Sequence, residues 1–282
     1  MAYEFYGWQN ATIKDELGFT PLDYYDLLSQ IWSADTCAPR MRQSWSPENK
    51  TLGQCSITAF LLQDIYGGKV YGVPLGDGNY HCFNEVGGCV FDLTSEQFGK
   101  EKLNYVNCPE QERSIHFAKA EKKARYELLR DKLMKKRPVI APISMEHIDR
   151  YGEIYALEFS GKPWHDPWKT EDAQIHVKEL IEAKTAYGLE YVVEGRVAAF
   201  LLGTSMLFHY GRTFEINDLA VDPDYQGRGI ASILMERCKA DMKEQGMVGI
   251  HLITSGDSFL PGFYEHHGFK RETELILMGM EL

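Results

Sequence analysis

The chain has no run of the ~18 apolar residues that a bilayer-crossing helix needs, and its first residues lack the basic start and apolar stretch of a secretory leader. No membrane partner is expected, and the expected location is cytoplasmic. The six cysteines (Cys37, Cys55, Cys82, Cys89, Cys108 and Cys238) form no C-x-x-C pair, which fits a reducing compartment and falls outside the common zinc-ribbon patterns. The spacing of Cys82 and Cys89 beside His81 suits no common metal site. The adjacent His266 and His267 would point apart on a helix, so no metal is assigned. Basic charge is scarce, with 30 Lys and Arg against 41 Asp and Glu and a net charge of −11, so nucleic acid is not an expected partner. No segment repeats and none is of low complexity. What is present, 282 residues of which 44% are hydrophobic and 25% charged, is the composition of a globular protein large enough for two domains.

The one basic stretch, residues 118–137, holds nine Lys and Arg against three Asp and Glu. Tyr126, Leu129 and Leu133 share a helical face there, and Glu121 to Arg125 and Asp131 to Lys135 are well-ordered i,i+4 pairs. The pattern predicts a connecting helix over 118–136, broken by Arg137-Pro138, between a domain at 1–117 and another at 137–282. Beyond the break the apolar periods alternate between strand and helix. Strands are expected at 139–143, 189–193, 197–206, 214–221 and 249–254, and helices at 145–159, 170–184 and from Ile230 to Gly246. Trp164 and Trp168 sit in a proline-ruled loop between two of the helices, where they suit either an acceptor cleft or the core.

The segment Leu219-Ala-Val-Asp-Pro-Asp-Tyr-Gln-Gly-Arg-Gly-Ile-Ala231 ends a buried strand, turns, and opens a helix through two glycines. The first turn of a helix leaves amide groups without partners and carries partial positive charge. Gly227, Arg228, Gly229, Ile230 and Ala231 can therefore donate to a pyrophosphate. A dinucleotide fingerprint fails at Ser232, and the Gly-Lys-Ser/Thr of a Walker loop is absent. The loop resembles that of the GNAT acetyltransferases, Gln/Arg-x-x-Gly-x-Gly/Ala, at Gln226, Gly229 and Ala231, and Phe263-Tyr-Glu-His-His-Gly-Phe269 resembles that family's closing motif.

The resemblance implies a mixed-sheet α/β fold over 137–282, acetyl-CoA as cofactor, and direct transfer of acetyl to an amine of a small molecule or peptide in a ternary complex. It implies backbone contacts to the cofactor from Leu219, Ala220 and Val221, and Tyr264 as general acid. A carboxylate on the strand before the loop would receive the amine proton, and Glu215 and Asp218 both lie there. On a regular strand positions 215 and 218 face opposite sides; Glu215 is preferred, and a bulge would reverse the choice.

The first 117 residues suggest a small α+β domain and carry a second constellation. Cys55 opens an apolar helix, His81 lies on a following strand, and Asp92 lies on the next strand after the Gly87-Gly88 turn. A helix start stabilises a thiolate, a histidine can deprotonate the thiol, and an aspartate can orient the imidazole. The hairpin would bring His81 to Asp92 only if its pairing is staggered or bulged. This half resembles the transglutaminase-like branch of papain-type enzymes in the order Cys, His, Asp. It resembles YunG-like bacterial proteins more closely, in Trp45-Ser-Pro47, Gly53-Gln-Cys55 and Asp92-Leu-Thr-Ser-Glu-Gln-Phe98. Alongside acetyl transfer, the alternatives are a cysteine-dependent hydrolase or amide-transfer enzyme working from Cys55, His81 and Asp92, or an N-terminal module that binds substrate without catalysis.

Overall fold

A computed structural model describes residues 3–76, 78–272, 274 and 276–280. The chain divides into two compact units, Met1–Arg137 and Pro138–Leu282. No helix among the described residues is long and apolar enough to cross a membrane.

In the first unit, helix α1 (Pro21–Ser29) starts where the Thr20 amide donates to the Asp23 carboxylate at 2.7 Å and Pro21 presets the first helical φ. Helix α2 (Cys55–Tyr66) follows, then strands β1 (Lys69–Pro74), β2 (Tyr80–Val86) and β3 (Cys89–Phe91) in an antiparallel sheet of that order. Helices α3 (Arg113–Phe117) and α4 (Ala120–Lys136) complete it. Apolar side chains from α1, α2, the sheet and α4 form one core around Tyr24, Leu28, Phe60, Leu61 and Phe91.

Two expectations change here. Helix α4 does not merely connect: Tyr126, Leu129 and Leu133 are buried in this core, because the apolar stripe on an otherwise basic helix has no other surface to cover it. Arg137 at its end reaches Asp15 at 2.9 Å and Glu16 at 3.1 Å. The hairpin also needs no bulge to join His81 and Asp92. Its pairing runs without a bulge from Val86–Cys89 to Asn84–Phe91, and just past it the Asp92 carboxylate meets His81 Nε2 at 2.5 Å, as the strand alternation continued by one residue would place them.

The second unit is a five-stranded sheet in chain order: β4 (Val139–Pro142), β5 (Ala186–Val193), β6 (Arg196–Phe208), β7 (Gly211–Val221) and β8 (Gly249–Leu252). Pairing is antiparallel except between β7 and β8. Helices α5 (Ile148–Phe159) and α6 (Thr170–Ile181) cover one face, with Tyr151, Ile154 and Val177 packed on Phe200, Leu202 and Ala220. Helices α7 (Ile230–Glu244) and α8 (Leu260–His266) belong to the core on the other face, where Leu234, Met235 and Cys238 meet Leu201, Phe214 and Ile216. Trp168 packs against the first of these cores, edge-on to Tyr155.

Strand β7 carries the feature that shapes the site. Gly203 pairs with Ile216 and Leu202 with Asp218, so Asn217 is an extra residue. A Cβ on Gly203 would stand 2.1 Å from the Glu215 carbonyl oxygen, so the sheet closes around the bulge only with glycine there. The parallel pairing of β7 with β8 runs from Thr213 to Ile216 and stops at the bulge. Past it, Asp218 to Val221 pair, among the described residues, with β6 alone.

Candidate functional site

The two candidate carboxylates do not face opposite sides. Their partners Thr204 and Leu202 are two residues apart on β6 and share a face, so Glu215 and Asp218 share it too, because the bulge at Asn217 shifts the alternation by one. They differ in what they touch. Asp218 is buried, holds the His176 ring nitrogen Nε2 at 3.1 Å, and raises the pKa of His176 through that hydrogen bond. Glu215 is only partly covered, and the nearest ring nitrogen of His251 is 3.9 Å away. Glu215 and Tyr264 both line a cavity of about 1000 Å³ together with His251 and Thr254.

The loop after β7 is held at its entry. Asp222 accepts from the Asp224 amide at 2.8 Å and pairs with Arg150 of α5, whose Nε also donates to the Val197 carbonyl at 3.0 Å. Gly227 and Gly229 have φ of 72° and 76°, the left-handed region where glycine carries no Cβ penalty. A Cβ at either would meet no atom within 4 Å, so both face open space. Among the described residues the amides of residues 227–231 donate to no backbone carbonyl, and they stand at the start of the 15-residue α7. Arg228 folds back, donating to the Asp224 carbonyl at 2.7 Å with its guanidinium over the Tyr225 ring. The residues fit an oligophosphate: open glycines, unpartnered amides and a helix N-terminus converge.

Glu158, which periodicity placed on α5 without a role, stands beside this loop. Its carboxylate accepts from Gln226 Nε2 at 2.5 Å, and burial pushes its pKa up to about 6 against that hydrogen bond. Gln226 also donates to the Val221 carbonyl at 3.2 Å. Burial, and then the charge of Glu158, push the Tyr264 phenol up to about 12. No sequence pattern marks Glu158, because its position depends on where the end of α5 meets a loop 68 residues later.

In the first unit the three sequence candidates come together. His81 Nε2 lies 2.5 Å from the Asp92 carboxylate, and both residues are 1% exposed. Asp92 is held from every side: it accepts from the Thr94 amide and hydroxyl, each at 3.0 Å, and from Tyr105 at 2.9 Å. The other ring nitrogen of His81, Nδ1, has Gln97 Nε2 at 3.4 Å. A hydrogen bond from Cys82 draws the Cys55 thiol well below its ordinary range; burial opposes this, and the charge and hydrogen bond of His81 add to it. Burial pushes His81 down, but the charges of Asp92 and Cys55 carry it up to about 10. Cys55 and His81 line one cavity of about 690 Å³. Gln97 and Tyr105 were not anticipated, although Gln97 follows Thr94 by three residues on a short 3-10 turn, a spacing that returns it to the same side.

Comparison with known proteins agrees with this division. Residues 20–137 match the family described as YunG protein, and residues 148–269 match the acetyltransferase (GNAT) family. The protein YunG of Bacillus subtilis (strain 168) is 34% identical over 83 residues, 29% of this chain and 66% of that protein's length. Acetyltransferase SG1711 of Sodalis glossinidius (strain morsitans) is 28% identical over 122 residues, 43% of this chain and 79% of that protein. N-alpha-acetyltransferase RimI of Mycobacterium tuberculosis (strain ATCC 25618 / H37Rv) is 29% identical over 136 residues, 47% of this chain and 78% of that protein. The chain thus joins a YunG domain to an acetyltransferase domain of the GNAT family.

Proposed function

We propose that residues 138–282 transfer an acetyl group from acetyl-CoA to the amine of a small molecule or peptide, by direct attack in a ternary complex. The observation that supports the reading is the row of amides at residues 227–231 that donate to no backbone carbonyl among the described residues, at the start of α7 and beside two glycines that face open space. Gly227 to Ala231 would hold the pyrophosphate, and the strand residues Leu219, Ala220 and Val221, freed from β8 by the bulge, would supply backbone contacts to the arm that carries the thioester. Acetyl-CoA supplies the acetyl group in activated form.

The chain's own residues handle the protons. Glu215 is placed to receive the amine proton, since it is partly exposed and shares a cavity with Tyr264, while Asp218 is occupied by His176. Tyr264 holds its proton throughout the neutral range and gives it to the departing thiolate. Glu158 orients Gln226 and adds its charge to the burial that keeps the phenol protonated, so it is a positioning residue.

Calorimetry with CoA and with pantetheine, which lacks the pyrophosphate, tests the loop without any variant. CoA is expected to bind much the more tightly; equal affinities would remove the phosphates from the loop. Gly229→Val should weaken CoA further, beyond the ~1–2 kcal/mol that a left-handed non-glycine residue costs the fold itself. A screen of amines with acetyl-CoA and a thiol reporter then identifies the acceptor.

A further inference from the structure

The acetyltransferase chemistry uses no residue of the first unit, yet that unit encloses a nucleophile, a base and an orienting acid in one cavity. The ring of His81 is fixed by Asp92 through Nε2, which leaves Nδ1 as the nitrogen that can serve Cys55. Asp92 in turn has both oxygens occupied by Thr94, Tyr105 and His81, an arrangement that locks the imidazole's tautomer and orientation. A donor source adjoins the thiol. The amides of Cys55 and Ser56, at the start of the 12-residue α2, donate to no backbone carbonyl among the described residues, whereas the Gln97 side-chain amide is engaged by the Thr94 carbonyl at 2.8 Å.

The cavity's charges select among substrates. Of its cations, Arg125 is paired with Glu121 at 2.5 Å, and of its carboxylates Glu110 is paired with Lys69 at 2.8 Å. Lys119 and Lys122 line the same cavity, with Glu112 as its remaining carboxylate. Lys122 is half-buried, and its nearest partner is the neutral ring of His116 at 3.1 Å, held uncharged because burial, with the lysine's own charge, lowers it to about 4. Burial lowers the Lys122 pKa while the thiol groups of Cys82 and Cys55 raise it, and a lysine whose hydrogen-bond partner is an uncharged ring favours an anionic group on a ligand in this cavity.

We propose that the first unit is a second enzyme centre, a cysteine acyl hydrolase in which Cys55, His81 and Asp92 cleave an amide whose acyl part carries a carboxylate, with Lys122 receiving that carboxylate. The Cys55 sulfur forms a bond to the carbonyl carbon, the carbon–nitrogen bond breaks, and the proton held by His81 goes to the leaving amine. Water then gives a proton to His81 and its oxygen to the thioester carbon, the carbon–sulfur bond breaks, and the acid is released with the thiol restored.

The full chain can be tested with an activated ester pair of equal length, mono-4-nitrophenyl adipate and 4-nitrophenyl hexanoate, following nitrophenolate release above the enzyme-free rate and the mass of the Cys55 peptide. The proposal expects a burst with an adipoyl adduct on Cys55 that is absent in Cys55→Ala. It also expects the adipoyl ester to be preferred several-fold over the hexanoyl ester, and that preference to shrink in Lys122→Met. A burst that persists in Cys55→Ala overturns the site, and equal rates for the two esters overturn the carboxylate assignment. A measurement on the unmodified chain guards against misfolded variants: iodoacetamide at pH 6 should label Cys55 faster than the half-buried Cys89 and Cys108, on the order of tenfold or more. Labelling of Cys55 no faster than those two overturns the activated thiol. Cys82 hydrogen-bonds Cys55, and the charges of Cys37, Lys122 and His116 couple to it, so their own titrations set the background to that comparison.

Discussion

Tyr264 keeps its proton because burial removes water from the phenol and Glu158 places negative charge nearby. Tyr264→Phe is therefore expected to lower turnover by the ~10²–10⁴-fold that a general acid supplies, with CoA affinity in calorimetry nearly unchanged. Glu215→Gln should depress turnover and alter the pH–rate profile, whereas Asp218→Asn should act mainly on stability, since it empties a buried partnership with His176. A silent Glu215→Gln beside a catalytically dead but folded Asp218→Asn would reverse these roles. In the first unit, His81 holds its proton up to about 10, above the ~6.5 of an unfolded histidine. The sign follows: its pairing with Asp92 stabilises the fold fully below ~6.5 and is lost as pH rises through about 10. Asp92→Asn should thus lower the melting temperature at pH 7, and the gap to the parent chain should narrow as pH passes 10. A gap independent of pH would mean that the aspartate acts through hydrogen bonding alone.

Helix α4 and the β7 bulge show which elements the sequence discloses and which it hides. The stripe Tyr126, Leu129, Leu133 announces a helix with one apolar face, but the partner of that face lies in residues 24–91, and no local pattern names it. The loop Gln226 to Ala231 is legible because a backbone anion cradle demands glycines at fixed offsets from a helix start, a purely local requirement. The bulge is hidden, because Asn217 is unremarkable and the geometry is dictated by Gly203 on the neighbouring strand. Glu158 is hidden for the same reason, as its partner Gln226 is distant in the chain. Both elements can be probed. Leu133→Ala should destabilise the first unit by about 2–5 kcal/mol, as burial in a core requires and a mere connector would not. Gly203→Ala, whose Cβ has no room, should cost about 1–3 kcal/mol and lower acetyl transfer together with stability, because it displaces the strand that carries Glu215. Unfolding in urea measures the first, and unfolding with steady-state kinetics the second.

At the scale of the whole molecule, each unit has its own hydrophobic core, one around Tyr24, Phe60 and Phe91 and the other on both faces of the five-stranded sheet. Residues 138–282 prepared alone are expected to fold and to bind CoA as the full chain does; an unfolded fragment would show that the units depend on each other. Separate cores have a calorimetric consequence. A heating scan of the intact chain should resolve two endotherms, and a ligand that binds only one folded unit moves only that unit's midpoint, by the free energy of mass action. At a CoA concentration a hundredfold above its dissociation constant this is about 2.7 kcal/mol, enough to separate the peaks by several degrees while the other stays fixed as an internal thermometer.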